Sequence, residues 1–134
     1  MKKEYLNPGE FTNKTGFYSQ GLKVDIGDSE MIFVTGQIAK DRDGNVVGPG
    51  NFTEQTEFVF KNIQTILEEG GATLDDVVKA VIYVTDMSKF KEVSAVRNKY
   101  FANSKPVSTF VEINKTVKEG CGVEIDVIAI KSKE

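Results

Sequence analysis

Two β-rich runs stand near the beginning of the chain and two near its end. The first two, Phe17–Ile26 and Met31–Ala39, are joined across Gly27-Asp28, and this combination predicts a β-hairpin. The other two, Ser108–Ile113 and Gly122–Lys131, predict two further strands that are separated by a loop.

Apolar residues at helical spacing indicate two helices between these strands. Asn51 with Glu54 three residues later has the pattern of a capping box, which predicts a helix from there to about Glu69, ended by Gly70-Gly71. Its apolar stripe consists of Val59, Ile63, Ile66 and Leu67. A second helix is predicted to be capped by Ser88, and its apolar side carries Phe90, Val93, Val96 and Tyr100.

The segment between the helices completes the predicted fold. Thr73–Asp76 is a capped turn, and Val77–Thr85 is an almost unbroken apolar run, typical of a strand covered on both faces in the middle of a sheet. The order β-β-α-β-α-β-β predicts one α+β domain over residues 1–134, with a mixed sheet and both helices on one face. Because the other face still carries apolar side chains, we expect a homo-oligomer.

Composition excludes several classes of protein. No run approaches the roughly 18 apolar residues of a membrane span, and the start MKKEYLNPGEF lacks the apolar stretch of a signal peptide, so we expect a cytoplasmic protein without a membrane partner. The net charge of −3 has the wrong sign for counterion-driven binding to nucleic acid, so no nucleic-acid partner is expected.

The residues available for chemistry are few. The chain has no histidine and one cysteine, which excludes histidine-activated nucleophiles, imidazole metal sites and an internal disulfide. Cys121 is interpreted as a thiol without chemistry. Asp41–Asn45 has some likeness to a calcium loop, but its glycine comes too early for an EF-hand, and a solvated turn is the preferred interpretation. The only arginines are Arg42 and Arg97.

Five segments together resemble the RidA/YjgF family of reactive-intermediate deaminases. They are GFYSQG at 16–21, FVTGQI at 33–38, the block KNIQTILEEGGATLDDVVKAVIYVTDMSKF at 61–90, KPVSTFVEI at 105–113 and GVEIDVIAI at 122–130. The likeness runs in one register from about residue 14 to 131. It implies a fold like that of chorismate-mutase-type homotrimers, in which three sheets form a central barrel and small molecules bind in clefts between subunits.

The resemblance also implies a reaction. Deaminases of this family hydrolyse enamines or imines such as 2-aminoacrylate to 2-keto acids and ammonia, without a metal or cofactor. By position, Glu124 matches the glutamate that positions the attacking water and Tyr18 matches a tyrosine of the pocket, and the resemblance implies that these two are the catalytic residues. Thr35 and Gly36 match substrate-binding positions, Thr109 is expected to line the same pocket, and Ser94 stands where an asparagine is usual.

One family residue is missing. Ser108 occupies the position of the arginine that grips the substrate carboxylate. Removing a charged partner of this kind from a desolvated cleft costs about 2–5 kcal/mol, which one neutral hydroxyl does not recover. Either the substrate has no carboxylate, or another cation reaches the site, or catalysis is lost. Lys105 and Lys115 flank the strand, whereas Arg97 is interpreted as an ordinary surface arginine.

Three functions therefore stay open. The first is a cofactor-independent imine or enamine deaminase in which Glu124 activates water. The second is a trimer that binds a small metabolite without converting it. The third is a ribonuclease or translation inhibitor, an activity attached to some members of the family, which is poorly supported by an acidic chain without histidine.

Overall fold

The computed structural model describes residues 1–9 and 16–134. The strands are β1 (Lys3–Leu6), β2 (Gly21–Asp25), β3 (Ser29–Ile38), β4 (Val77–Val84), β5 (Val107–Glu112) and β6 (Val123–Ser132). The α-helices are α1 (Phe52–Glu69) and α2 (Phe90–Tyr100), and short 3₁₀ turns cover Leu74–Asp76 and Met87–Lys89.

The six strands form one mixed sheet in the order β1-β2-β3-β6-β4-β5. Every neighbouring pair is antiparallel except β4 and β5, which are parallel. The predicted α+β class and mixed sheet are confirmed. The edge strand β1 was not predicted because it has only four residues, three of them exposed, and therefore carries little periodic signal.

Both helices cover the same face of the sheet, here called the helix face. The strands bury Ile32, Val34, Ala80, Ile82, Val123, Ile125 and Val127 there. Helix α1 packs its predicted stripe, together with Phe60, into the same cluster. The opposite face, here called the open face, has no helix among the described residues. Strand β4 is therefore covered on only one face within the chain, and Val81 and Tyr83 on its other face are half-buried.

The starts of the two helices differ from the prediction in detail. Only half of the predicted capping box forms at α1. Asn51 accepts a hydrogen bond from the Glu54 amide at 2.9 Å, but its own amide donates to the Gly48 carbonyl and not to the Glu54 side chain. The prediction that Ser88 caps the second helix is wrong. Asp86 accepts from the Ser88 amide and hydroxyl, which makes Met87–Lys89 a 3₁₀ turn, and α2 begins at Phe90.

Strand limits shift as well. The first predicted strand was placed from Phe17, but β2 begins at Gly21, and residues 10–15 lie outside the described part of the chain. Each of the other four predicted strands both starts and ends within two residues of the observed limits. No helix in the described ranges is long and apolar enough to cross a membrane.

A buried glutamine links α1 to the loop before β6. Gln55 is 1% exposed, and its amide nitrogen donates to the carbonyls of Gly120 (2.8 Å) and Gly48 (3.2 Å). Its side-chain oxygen accepts from the Gly122 amide at 2.8 Å. Because buried backbone groups need partners, this one side chain fixes the path by which the chain enters β6.

Replacing Gln55 by leucine should leave the buried Gly122 amide without a partner and remove the hydrogen bonds to the Gly48 and Gly120 carbonyls. We expect Gln55→Leu to lower the free energy of unfolding by about 3 kcal/mol. Gln64→Leu, the same substitution at a partly exposed position of α1, should change it by less than about 0.5 kcal/mol. Chemical denaturation followed by circular dichroism measures both, and equal effects would contradict the role given to Gln55.

Candidate functional site

A β-bulge shapes the end of β3. Val34 pairs with Val127 and Gln37 with Ile125, so β3 contains one residue more than β6 between these pairs. The two residues inside the bulge are Thr35 and Gly36. The Thr35 hydroxyl donates to the Ser19 carbonyl at 2.6 Å, and its amide donates to the Gln20 carbonyl at 2.8 Å. The bulge is therefore held against the segment that precedes β2.

Glu124 lies directly against this bulge. It belongs to the outward-pointing set of β6 on the open face, next to Tyr83 across the ladder to β4. A Cβ atom on Gly36 would come within 2.3 Å of the Glu124 Oε2 atom. Only glycine therefore leaves room for the carboxylate in the position it occupies.

Burial and a neighbouring acid alter the proton affinity of Glu124. Its pKa is raised, first by desolvation and second by the negative charge of Asp126, two residues along the same face of β6. Burial also raises the pKa of Asp126, although a hydrogen bond from the Tyr83 hydroxyl (3.1 Å) and the charge of Lys79 act in the opposite direction. Burial, and then Asp126, raise the pKa of Tyr83.

A groove of about 540 Å³ opens beside Glu124. We call it the Glu124 groove, and its lining includes four of the predicted site residues, namely Tyr18, Thr35, Gly36 and Glu124. Lys40 and Arg42 also line it. Arg42 belongs to Asp41–Asn45, which is interpreted from the sequence as a solvated turn, because the sequence does not show that this turn folds back to the mouth of the bulge.

Ser108 lies on the other side of the sheet. It pairs with Ala80, which is buried under the helices, so its side chain belongs to the helix face. There it lines a second groove of about 530 Å³, here called the Ser108 groove, together with Arg97 and Lys105. The corner occupied by Ser108 is therefore not neutral. Two cations border it: Lys105, which flanks the strand in sequence, and Arg97, which the sequence had indicated to be an ordinary surface arginine.

The two remaining predicted residues lie apart from Ser108. Thr109 pairs with Val81 on the open face and is exposed, two strands away from β6. Ser94 is 8% exposed in α2, and its hydroxyl donates to the Lys91 carbonyl at 3.3 Å. Within one chain, the structure thus brings four of the seven predicted residues together and places Ser94, Ser108 and Thr109 elsewhere.

Two groups near Glu124 were missed from the sequence. Tyr83 and Asp126 complete a polar cluster with it on the open face. The signal available was the two-residue spacing of Glu124 and Asp126, which puts both carboxylates on one face of a strand. Among residues 1–9 and 16–134, no three His, Cys, Asp or Glu side chains are arranged to hold a metal ion.

The fold and the Glu124 groove define a class of small α+β protein, in which a sheet covered by helices on one face carries a carboxylate pocket at a bulge on the other. The model of the Endoribonuclease L-PSP family matches residues 12–131. A RutC family protein of Pyrococcus abyssi is 38% identical over 131 residues, which cover 98% of this chain and 99% of that protein.

Solved structures of the same family resemble this fold over nearly the whole chain. A Rid family protein of unknown function from Yersinia pestis is 29% identical, with a TM-score of 0.83 and coverage of 96% of this chain and 98% of that chain. A Mycobacterium tuberculosis member of the YjgF/YER057c/UK114 family is 30% identical, with a TM-score of 0.80 and the same coverage. The chain belongs to the Endoribonuclease L-PSP family, the family of RutC, YjgF and Rid proteins, and the assignment made from the sequence is confirmed.

The environment of Glu124 predicts a pH-dependent contribution to stability. Because its pKa is raised in the folded protein, the folded state keeps this proton to higher pH than the unfolded state, and folding is disfavoured as the pH rises through the interval between the two values. We therefore expect Glu124→Gln to gain stability relative to the unmodified protein from pH 4 to pH 7.

Carboxyl NMR titration measures the Glu124 pKa directly. Asp126→Asn removes the second cause of the shift, so this variant should lower the pKa of Glu124 while leaving it above its ordinary value, because burial persists. A Glu124 pKa at or below the ordinary value in the unmodified protein would contradict the burial described here.

Proposed function

We propose that this protein hydrolyses the C=N bond of a small imine, formed directly or by tautomerisation of an enamine, to a carbonyl compound and ammonia. The observation that carries the proposal is the half-buried Glu124 carboxylate, seated against Gly36 in a groove with Tyr18 and Thr35. A carboxylate whose pKa is raised by burial is a better general base than an exposed one.

The proposed steps use one water molecule. Glu124 accepts a proton from water as the water oxygen bonds to the imine carbon and then gives that proton to the imine nitrogen, which yields a carbinolamine. In the collapse, Glu124 accepts the proton of the carbinolamine hydroxyl as the C=O bond forms and the C–N bond breaks, and it gives this proton to the leaving nitrogen. Imine and water are consumed, and carbonyl compound and ammonia are formed, so atoms and charge balance.

Other groups in the groove suit substrate binding. The Thr35 hydroxyl already gives its proton to the Ser19 carbonyl, so its oxygen is left as an acceptor for an N–H group of the substrate. Tyr18 is 44% exposed at the mouth of the groove, where its ring can cover an apolar part of a small ligand.

The two alternative functions, a metabolite-binding trimer and a ribonuclease, predict different experimental results. A trimer that only binds a metabolite would show affinity for products without turnover. A ribonuclease would need acid–base groups at a phosphodiester, and a chain of net charge −3 without histidine offers little for that chemistry. We rank both below the hydrolase because neither uses the desolvation of Glu124.

The test is hydrolysis of freshly generated 2-aminoacrylate, followed by the appearance of 2-keto acid against a buffer blank. Purified protein should accelerate the reaction, and Glu124→Gln should reduce the acceleration at least about a hundredfold, the usual scale of a general base. Glu68→Gln, on the exposed surface of α1, is the matched control and should retain full activity. No acceleration by the unmodified protein would refute the deaminase, and tight pyruvate binding without turnover would favour the binder.

We also infer that the open face is covered by two further copies of this chain. Apolar side chains of the inner strands point outward there, among them Leu22, Phe33, Val81 and Ile128, and Phe33 is 38% exposed. A closed symmetric assembly covers such a face in every subunit. It would also bury Glu124 further, since this carboxylate belongs to the same face.

The assembly is measured by sedimentation or light scattering. We expect a mass of about 44 kDa, three times the 14.8 kDa of the chain. Phe33→Asp puts a charge in the middle of the open face and should yield a folded monomer. Thr53→Asp places the same carboxylate in the exposed first turn of α1 and should leave the assembly intact. A monomeric unmodified protein at micromolar concentration would contradict the inference.

A further inference from the structure

The Ser108 groove has an unusual balance of charge. Arg97 and Lys105 border it, and none of the described residues that line it is acidic. The other polar groups are Asn98 and the Ser108 hydroxyl. The remaining lining is apolar and consists of Phe101, Ala102 and Pro106.

Two other lysines at the helices have carboxylate partners. Lys99 of α2 pairs with Glu57 of α1, and Lys89 pairs with Glu92. Within the described ranges, no ion pair forms at Arg97 or Lys105. Two positive charges at one groove without a compensating carboxylate favour an anionic ligand.

Arg97 is oriented by its neighbours. Its Nε atom donates to the Asn98 side-chain oxygen at 3.1 Å, and its guanidinium carbon lies 5.9 Å from the centre of the Phe110 ring. These contacts restrain the side chain and leave the two terminal nitrogens for a ligand. A guanidinium presents such nitrogens as a fork that fits the two oxygens of a carboxylate.

Lys105 has the only positive φ angle among the described residues other than glycine, +46°. A glycine would adopt this conformation without strain. The chain instead has a lysine at the turn between α2 and β5, where its side chain lines the groove that Arg97 also lines.

We propose that the Ser108 groove is a binding site for a small carboxylate, held by the Arg97 guanidinium with Lys105 as the second cation and the Ser108 hydroxyl as a neutral donor. Where this groove meets the Glu124 groove of a second copy, the bound carboxylate is that of the substrate. This catalytic role, but not the binding, rests on the proposed function. The cation that binds the substrate carboxylate would then come from the end of α2, because β5 has Ser108 at the position where the family has its arginine.

Pyruvate is the probe for binding, with pyruvamide as its uncharged counterpart. NMR titration of the ¹⁵N-labelled protein should show pyruvate shifting signals around Arg97 and Lys105, and its affinity should fall with rising salt. Arg97→Met should weaken pyruvate binding about tenfold or more, and Lys105→Met should weaken it less. Arg97→Lys should restore part of the loss, whereas Lys91→Met, an exposed charge removal on the same helix, should have no effect.

Several outcomes would overturn the inference. Pyruvate affinity unchanged in both Arg97→Met and Lys105→Met would do so, as would equal binding of pyruvamide, or shifts confined to Lys40 and Arg42 in the Glu124 groove. Experiment can distinguish a failure of this carboxylate-site inference from a failure of the proposed hydrolase function. If Glu124→Gln abolishes turnover while Arg97→Met leaves KM unchanged, the inference is wrong and the reaction stands. If Arg97→Met loses pyruvate but the unmodified protein turns over no imine, the site stands and the reaction is wrong.

Discussion

The alternation of side chains along β6 determines most of what this molecule can do. Val123, Ile125, Val127 and Ala129 are buried against the helices, so the residues between them must point to the open face. Glu124 and Asp126 are thereby held side by side on a rigid central strand. A slip of one residue in the pairing of β6 would exchange the two sets and bury both carboxylates in the apolar core, which is why the register is strongly specified.

The bulge in β3 gives Glu124 the surroundings of a candidate site. An extra residue in β3 brings Gly36 against the Glu124 carboxylate, and its missing side chain gives the carboxylate room beside the backbone. The same approach removes water from one side of Glu124, which is the first cause of its raised pKa. Stability and chemistry oppose each other here, because the desolvation that makes the group a useful base also makes the ionised folded state less favourable.

Two groups of candidate functional residues lie on opposite faces of the sheet. Carboxylates with raised pKa lie on the open face, and the cations Arg97 and Lys105 lie at the end of α2 on the helix face. Within one chain, no ligand of a few atoms spans both faces. A second copy that presents its own strand end is the arrangement in which the two grooves would act on one molecule.

Local signals were read well from the sequence. The apolar stripe of α1 and the strand from Val77 follow from periodicity, which depends only on neighbouring residues. Errors occurred where competing local partners were present, as at Ser88, where Asp86 offers a stronger acceptor two residues earlier. The strand β1 was missed because pairing with β2 stabilises it, rather than any preference of its own.

The sequence by itself determined the family and the order of elements from β2 onward, and it singled out Glu124 as the candidate catalytic carboxylate. Only the tertiary structure decided that Gly36 makes room for it, that Asp126 and Tyr83 surround it, and that Arg97 and Lys105 border Ser108. The reason is physical. Periodicity and capping act over a few residues, whereas desolvation and the meeting of charges depend on which distant segments the sheet and the helices bring within a few ångströms of each other.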